Sequence, residues 1–139
     1  MAVSTWDFSK LVVSWSGVVI TGFAEAVTIS PDGGDDTAKK TVGSDGRETV
    51  VVYTNDTSGS VTMSLMASAV TNSTLSALAA AKTIGPLLIK DLNGTTVLQA
   101  TAAWVAKRPE TVFGKELSPR EWRIDYADGN LVIGGLTPV

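Results

Sequence analysis

Between Ser60 and Ala67 the chain alternates apolar with small hydroxylated positions, Val61, Met63 and Leu65 against Thr62 and Ser64. A period of two places the first set on one face of a strand and the second on the other, so this segment reads as a strand with one side on a core. Its outward side carries neither Lys nor Glu, so the usual charged solvent face is missing. Thr49-Val50-Val51-Val52-Tyr53-Thr54 reads as the preceding strand and Asn55-Asp56-Thr57-Ser58-Gly59 as the turn, which predicts a central hairpin over 49–67. After it, Leu75, Leu78 and Ala79 recur at i, i+3 and i+4, with Thr71 in the N-cap position and Gly85-Pro86 as the stop. That is the one convincing helix.

The remaining segments are strands. Leu11–Trp15 and Val18–Phe23 pair across Ser16-Gly17, and Ala26–Ser30 continues after a bulge near Gly22 or Ala24. Leu11-Val12-Val13 is apolar on both faces, which suits a strand covered on both sides. Leu87–Leu92 leads into Asn93-Gly94, a tight-turn signal, and the partner strand runs from Thr95 to about Lys107 until Pro109 ends it. Strict alternation there puts Leu98, Ala100, Ala102 and Trp104 on one side, and Val97, Gln99, Thr101, Ala103 and Val105 on the other. Arg120–Ala127 turns Trp122, Ile124 and Tyr126 inward and Arg123 and Asp125 outward, and Asp128-Gly129-Asn130 leads to a short Leu131–Ile133. Only Pro31–Arg47 lacks a period. It is polar, Gly-rich and longer than the ~12–15 residues of ordinary loops, so it is expected to be functional or unstructured. The expected fold is mainly β with one flanking α-helix, as a single domain over residues 1–139.

Composition narrows the function. The chain is 44% hydrophobic but only 18% charged, below the roughly 25% usual for soluble domains, which hints at surface that an assembly covers. A net charge of -3 argues against a grip on phosphates. With neither Cys nor His there is no disulfide, no thiolate or imidazole metal site, and no ordinary general base. Asp35-Asp36 on a Gly-rich stretch, and Glu116 and Glu121 elsewhere, are not held as a glycosidase pair must be. Asp32, Asp35 and Asp36 lack the spacing and closing Glu of a calcium loop. The glycines at 33, 34, 43 and 46 match neither a Walker loop nor a dinucleotide fingerprint. No catalytic, metal or cofactor site is assigned, and the chain reads as a non-enzyme. Trp15, Trp104 and Trp122 sit at apolar strand positions and are expected in the core, while Trp6 is expected at a contact. Apolar runs such as Val18-Val19-Ile20 fall far short of the roughly 20 residues of a membrane helix. No signal peptide is expected, so the protein is expected to be kept in a cytoplasm until assembly.

Val50–Tyr53 and Val97–Val105 carry little of the Lys, Pro or bulge protection that free sheet edges need. Joining such edges between subunits into a closed barrel removes the liability and favours a ring-forming structural protein. Trp6-Asp7-Phe8-Ser9-Lys10, Val12-Val13-Ser14-Trp15, Thr41–Gly46, Gly85–Gly94, Phe113-Gly114-Lys115-Glu116 and Arg120-Glu121-Trp122 resemble, in this order, the tail tube proteins of contractile-tailed bacteriophages. The resemblance spans nearly the whole chain and is weaker from Asp128 onward. It implies a β-sandwich or half-barrel shared with secretion-system tube proteins, hexameric rings stacked into a tube, and a lumen that conducts DNA during ejection. It further implies sheath, baseplate and tail terminator partners, a tape measure protein and DNA passing through without specific binding, no membrane, and a place in the virion tail after assembly in the host cytoplasm.

On that reading Thr62 and Ser64 are candidate lumen-wall residues, and Pro31–Arg47 is a candidate inter-subunit arm. Its candidate inter-ring contacts are Asp32, Asp35, Asp36 and Asp45 against Lys39, Lys40 and Arg47. A carbohydrate-binding or other non-catalytic β-sandwich is the alternative, and a small hydrolase using loop carboxylates is disfavoured by the missing His.

Overall fold

The computed structural model describes residues 3–138. In chain order its elements are β1 (Leu11–Trp15), β2 (Val18–Ile20), β3 (Phe23–Ser30), β4 (Ala38–Val42), β5 (Thr49–Tyr53), β6 (Gly59–Leu65), α1 (Thr71–Ala80), β7 (Gly85–Asp91), β8 (Val97–Lys107), β9 (Arg120–Tyr126) and β10 (Gly129–Val132). Mainly β with one helix is therefore the observed class. Seven strands follow the antiparallel order β2-β1-β7-β8-β9-β6-β3, with β10 added against β8, while β4 and β5 form a separate two-stranded sheet. The expected Ser16-Gly17 hairpin is present, with both residues at positive φ (51° and 83°), as a type I′ turn requires. The expected irregularity in the third strand is a register shift between Phe23 and Val27.

The long strand β8 determines how the sheet closes over its core. One edge pairs with β7; the other pairs first with β10, from Val97↔Val132 to Ala100↔Gly129, and then with β9 from Ala103↔Tyr126 onward. At the change of partner the alternation slips. Leu98 and Ala100 are buried, but the next buried residue is Ala103, and the β7–β8 register shifts between Gly85 and Leu87 at the same level. Trp104, expected beside Leu98 and Ala100, is consequently only half-buried. Ala103 takes the core position, and its carbonyl accepts a 3.0 Å hydrogen bond from the fully buried Trp15 Nε1. Val97–Val105 is thus an interior strand and not the exposed edge that its composition suggested. The open ends of the seven-strand path are β2 and β3, and β10 is paired on one side only among the described residues.

Val61, Met63 and Leu65 of β6 and Trp122, Ile124 and Tyr126 of β9 are buried as their alternation predicts. Leu75 seals the core from α1, with Leu78 and Ala79 packed against it. Thr71 is not the N-cap. The helix-like backbone of Val70 precedes it, and Thr71 is buried with its Oγ1 3.3 Å from Thr21 Oγ1. Asn72 secures this end instead, donating from Nδ2 to the Met66 carbonyl at 2.8 Å and accepting from Trp122 Nε1 at 2.9 Å. The other end closes before Gly85-Pro86. Thr83 N bonds to Leu78 O and Lys82 N to Ala79 O, both at 3.1 Å, with Lys82 at φ 54°. These paired bonds are a Schellman closure with lysine where glycine is usual.

Asn93-Gly94 does not form the predicted tight turn. Neither residue is at positive φ, and the β7–β8 connection takes in residues 92–96. The buried Asn93 side chain ties the N-terminal segment down instead, accepting from Asp7 N at 3.0 Å and donating to Asp7 O at 2.8 Å and Asp91 Oδ1 at 3.0 Å. Its carbonyl accepts from Thr137 N, and a side chain on Gly94 would run into the Gly135 carbonyl. Both ends of the described chain are therefore fastened at one turn.

Asn93→Ala should lower stability by about 2 kcal/mol, since each lost hydrogen bond is worth roughly 0.5–1.5 kcal/mol net. Denaturant unfolding checks this, with the thermal midpoint expected roughly 5–8 °C lower. Lys82→Gly should act in the opposite sense, raising stability by about 0.5–1 kcal/mol by relieving the left-handed backbone conformation.

Candidate assembly surface

Pro31–Arg47 is not an aperiodic loop, and β5 does not pair with β6. Ala38–Val42 forms β4 and pairs with β5 from Ala38↔Tyr53 to Val42↔Thr49, so the expected 49–67 hairpin is replaced by a hairpin over 38–53. The strand partners of β6 are β3 and β9. The physical reason lies in the distribution of charge. Lys39 and Lys40 on β4 give the Val-rich β5 a polar partner outside the core, whereas the β6 edges take strands that share its buried face.

Two clamps hold the root of this arm. Gly33 N donates to Ser58 O at 2.8 Å, and Asp56 Oδ1 accepts from Ser58 N at 2.8 Å and from Ser58 Oγ. Those two Ser58 bonds, side chain first, hold the Asp56 carboxyl below the usual carboxylate range. Gly33 sits at φ 63°, and any side chain there would meet the Asp56 carboxylate. Tyr126 lies beneath; burial first and then the negative charge of Asp32 push its phenol above the usual range. The tip is a polar loop closed by Gly43 N to Glu48 O at 2.8 Å, with Asp45 accepting from Arg47 N at 3.0 Å.

Every residue from Gly33 to Tyr53 is exposed. Antiparallel pairing places Lys40, Val42, Val51 and Tyr53 on one face and Lys39, Val50 and Val52 on the other. Val42, Val50, Val51, Val52 and Tyr53 are each 51–68% exposed. Two-stranded hairpins are marginal alone in water, so this one carries more apolar surface than its own fold covers. The seven candidate contacts do not cluster. Asp32 is at the root, its Oδ2 accepting from Thr37 Oγ1 at 2.9 Å; Asp35 and Asp36 lead into β4; Lys39 and Lys40 lie on it; Asp45 and Arg47 are at the tip. Root and tip are separated by the length of β4, about 17 Å at ~3.3 Å per residue.

Thr62 and Ser64 lie on the outward side of β6. Register aligns Thr62 with Thr28 and Arg123, and Ser64 with Glu121, while Ser60 pairs with Ser30 and Asp125. The outer face of β3-β6-β9 is thus a field of hydroxyls, in which Arg123 Nε meets Asp125 Oδ1 at 3.0 Å. The residues on β3 were not singled out from sequence, because the bulge after Phe23 hides their phase. Trp6 is exposed. No helix is long and apolar enough to cross a membrane, and no group of three or more acidic residues is placed to hold a metal ion, among the described residues.

A further feature went unseen in the sequence. Asn72, Ser76, Ala80, Arg108, Thr111 and Arg120 line a groove of about 820 Å³ between α1 and the segment after β8. Arg120 Nη1 is buried there without a hydrogen-bond partner among the described residues, and its guanidinium lies 5.8 Å from the ring centroid of Phe113.

No protein-family model matches the chain, and no curated protein matches it by sequence. Among solved structures the fold is similar to the sheath/tube terminator of an extracellular contractile injection system (PVC) in its extended state. The TM-score is 0.60 at 12% identity, over 93% of this chain and 97% of that one. It is also similar to the tube-terminating cap of the anti-feeding prophage (AFP), at TM-score 0.58 and 9% identity, over 95% of this chain and 94% of that one. The likeness is one of fold, extending end to end in both molecules. Both names place those proteins at the end of a tube, whereas the sequence resemblance points to the tube's repeating subunit.

Since β4 and β5 hydrogen-bond as a sheet of their own, replacing residues 38–53 by a short Gly-Ser linker should leave the thermal midpoint of the remaining fold within a few degrees of the parent. Differential scanning calorimetry checks this; a large drop would show that the arm supports the core.

Proposed function

We propose that the chain is a non-catalytic structural subunit of a contractile-tail-type tube, forming rings that stack around a lumen. The observation that carries this reading is the β4–β5 hairpin, which presents five half-exposed or more exposed apolar side chains with no cover from its own chain. Burying a Val fully is worth roughly 1.5–3 kcal/mol, and a ring or stack repeats the contact at every subunit. The free edges of β2 and β3 are the natural sites for closing a barrel between neighbours. The fold-level likeness to tube-terminating proteins supports the same class of role.

Hexameric stoichiometry, partnership with sheath, baseplate and tape measure, passage of DNA, and a place in a virion tail belong to this proposal through the sequence resemblance. In it, the outer face of β3-β6-β9 with Thr62 and Ser64 lines the lumen. That face is wettable and uncrowded, and Glu121 and Asp125 against Arg123 leave it with an acidic balance along which a phosphate backbone slides without being held. The second reading is a terminating ring that caps a tube, which the names of the two structural neighbours favour.

Negative-stain microscopy of the purified chain separates the readings. Stacked tubes with an open bore are expected for a tube subunit, whereas single rings that never stack would favour the terminator. Monomeric particles at every concentration would overturn both. The chain with residues 38–53 replaced should remain folded and fail to form tubes.

A further inference from the structure

Of the 11 basic and 14 acidic side chains in the sequence, one pair, Arg123–Asp125, forms a salt bridge among the described residues. The unpaired charges are not scattered evenly. Asp35 and Asp36 follow Ser30, which pairs with Ser60 beside the Tyr126 end of β9, whereas Arg120 opens β9 at its other end and Arg108 lies just beyond the end of β8 there. The register Gly59↔Tyr126 to Leu65↔Arg120 sets the two ends of β9 about 20 Å apart at ~3.3 Å per residue. That exceeds the roughly 8–10 Å over which exposed charges act at ordinary ionic strength. One end of the sheet is acidic and the other carries a two-arginine groove, and within one copy they are too far apart to pair.

The groove has a donor that lacks an acceptor. Arg120 Nη1 is buried and unbonded, and a buried donor without a partner is destabilising, more so when charged. Glu110, Glu116 and Glu121 lie in or beside the same connection, yet none forms a salt bridge with Arg108 or Arg120. Phe113 against the guanidinium helps hold it in place, and Ser76, Thr111 and Asn72 add hydroxyl and amide groups around it. A planar fork of donors in a polar cleft suits a carboxylate, which it can engage through two parallel hydrogen bonds.

We infer that the Arg108–Arg120 groove is the receptor for the Asp35–Asp36 carboxylates of a second copy of this chain, making a head-to-tail contact. The inference rests on the proposed tube reading and deepens it by naming the contact. Donor and acceptor lie at opposite ends, so the interface is heterologous, and such contacts propagate into rings or stacks instead of closing as a dimer. The acidic pair sits at the arm root, so the same contact carries the hairpin toward the neighbour and brings its valines within reach of cover.

The test compares assembly thresholds by sedimentation and microscopy. The double variant Arg108→Gln/Arg120→Met keeps the apolar stem and removes an unpaired charge, so its thermal midpoint should equal or exceed the parent's. Its critical concentration for assembly should rise about 30-fold or more, the lower range for truncating one partner of a buried charge pair. Asp35→Lys/Asp36→Lys should give the same loss. Arg108→Glu/Arg120→Glu should also fail alone, and mixing it with Asp35→Lys/Asp36→Lys should restore co-assembly, because each groove then meets an arm of opposite sign. Folded variants that assemble at the parent's threshold, or folded charge-reversed chains that do not co-assemble, would overturn the inference and leave the tube reading standing. So would groove variants that assemble normally but lose affinity for a labelled oligonucleotide, since the arginines would then serve nucleic acid. A parent chain that stays monomeric throughout would overturn both.

Discussion

Strand β8 must satisfy two sets of partners along one of its edges, and most of the architecture follows from that constraint. Its first half bonds to β10 and its second half to β9, while β7 runs along the opposite edge. At the change of partner the β7–β8 register shifts, and such a one-residue slip turns the side chains that follow to the other face. Ala103 then enters the core where Trp104 would otherwise have gone, and the small residue leaves room for Trp15, whose indole N–H ends on the Ala103 carbonyl. A large side chain at Ala103 would displace that ring and with it the packing of β1 on β8.

Much of the fold was legible because the core-facing strands alternate cleanly. Val61, Met63 and Leu65, like Trp122, Ile124 and Tyr126, are buried as their period requires. Alternation says which face is covered but nothing about which strand lies alongside, so the partner of β5 was misread as β6. The run Val50–Tyr53 has no alternation at all, and such a run reads as a doubly covered strand. In one copy of the chain it is uncovered on both faces. The run shows that β5 is apolar on both faces but not which strand lies alongside it. β4 escaped notice for a related reason: Ala38-Lys39-Lys40-Thr41-Val42 offers little apolar signal, and its pairing with β5 is closed at the tip by Gly43 N to Glu48 O.

The polar features were less legible still. Asn93-Gly94 carries the strongest turn signal in the chain, yet its side chain fastens the N-terminal segment and its glycine admits the C-terminal one. The same residue types serve a tight turn or a buried tether, and only the rest of the chain decides between them. Thr71 is a comparable case. Its hydroxyl suits an N-cap, but Leu75 one turn later must face the core, and a residue four positions earlier on the same helix face is carried inward with it. Arg120 gave no signal, since nothing around it in sequence indicates that a guanidinium nitrogen will be buried without a partner.

These features share a direction. In the core and the β7–β8 connection, Trp15 and Trp122 each donate their indole N–H, and Asn93 uses both its amide and its carbonyl. The deficits lie at the periphery, in an arm with uncovered valines, open sheet edges and the Arg120 guanidinium without an acceptor at the start of β9. A monomer would remove such deficits at little penalty, by a lysine on β5 or an acceptor placed against the Arg120 guanidinium, because surface substitutions of that kind usually change stability by less than about 0.5 kcal/mol. Keeping all three in a chain whose core is otherwise closed is what physical reasoning expects of a surface completed by further copies. On the proposed reading, the contact that completes it joins unlike ends, the aspartates at one end of β9 and the arginine groove at the other.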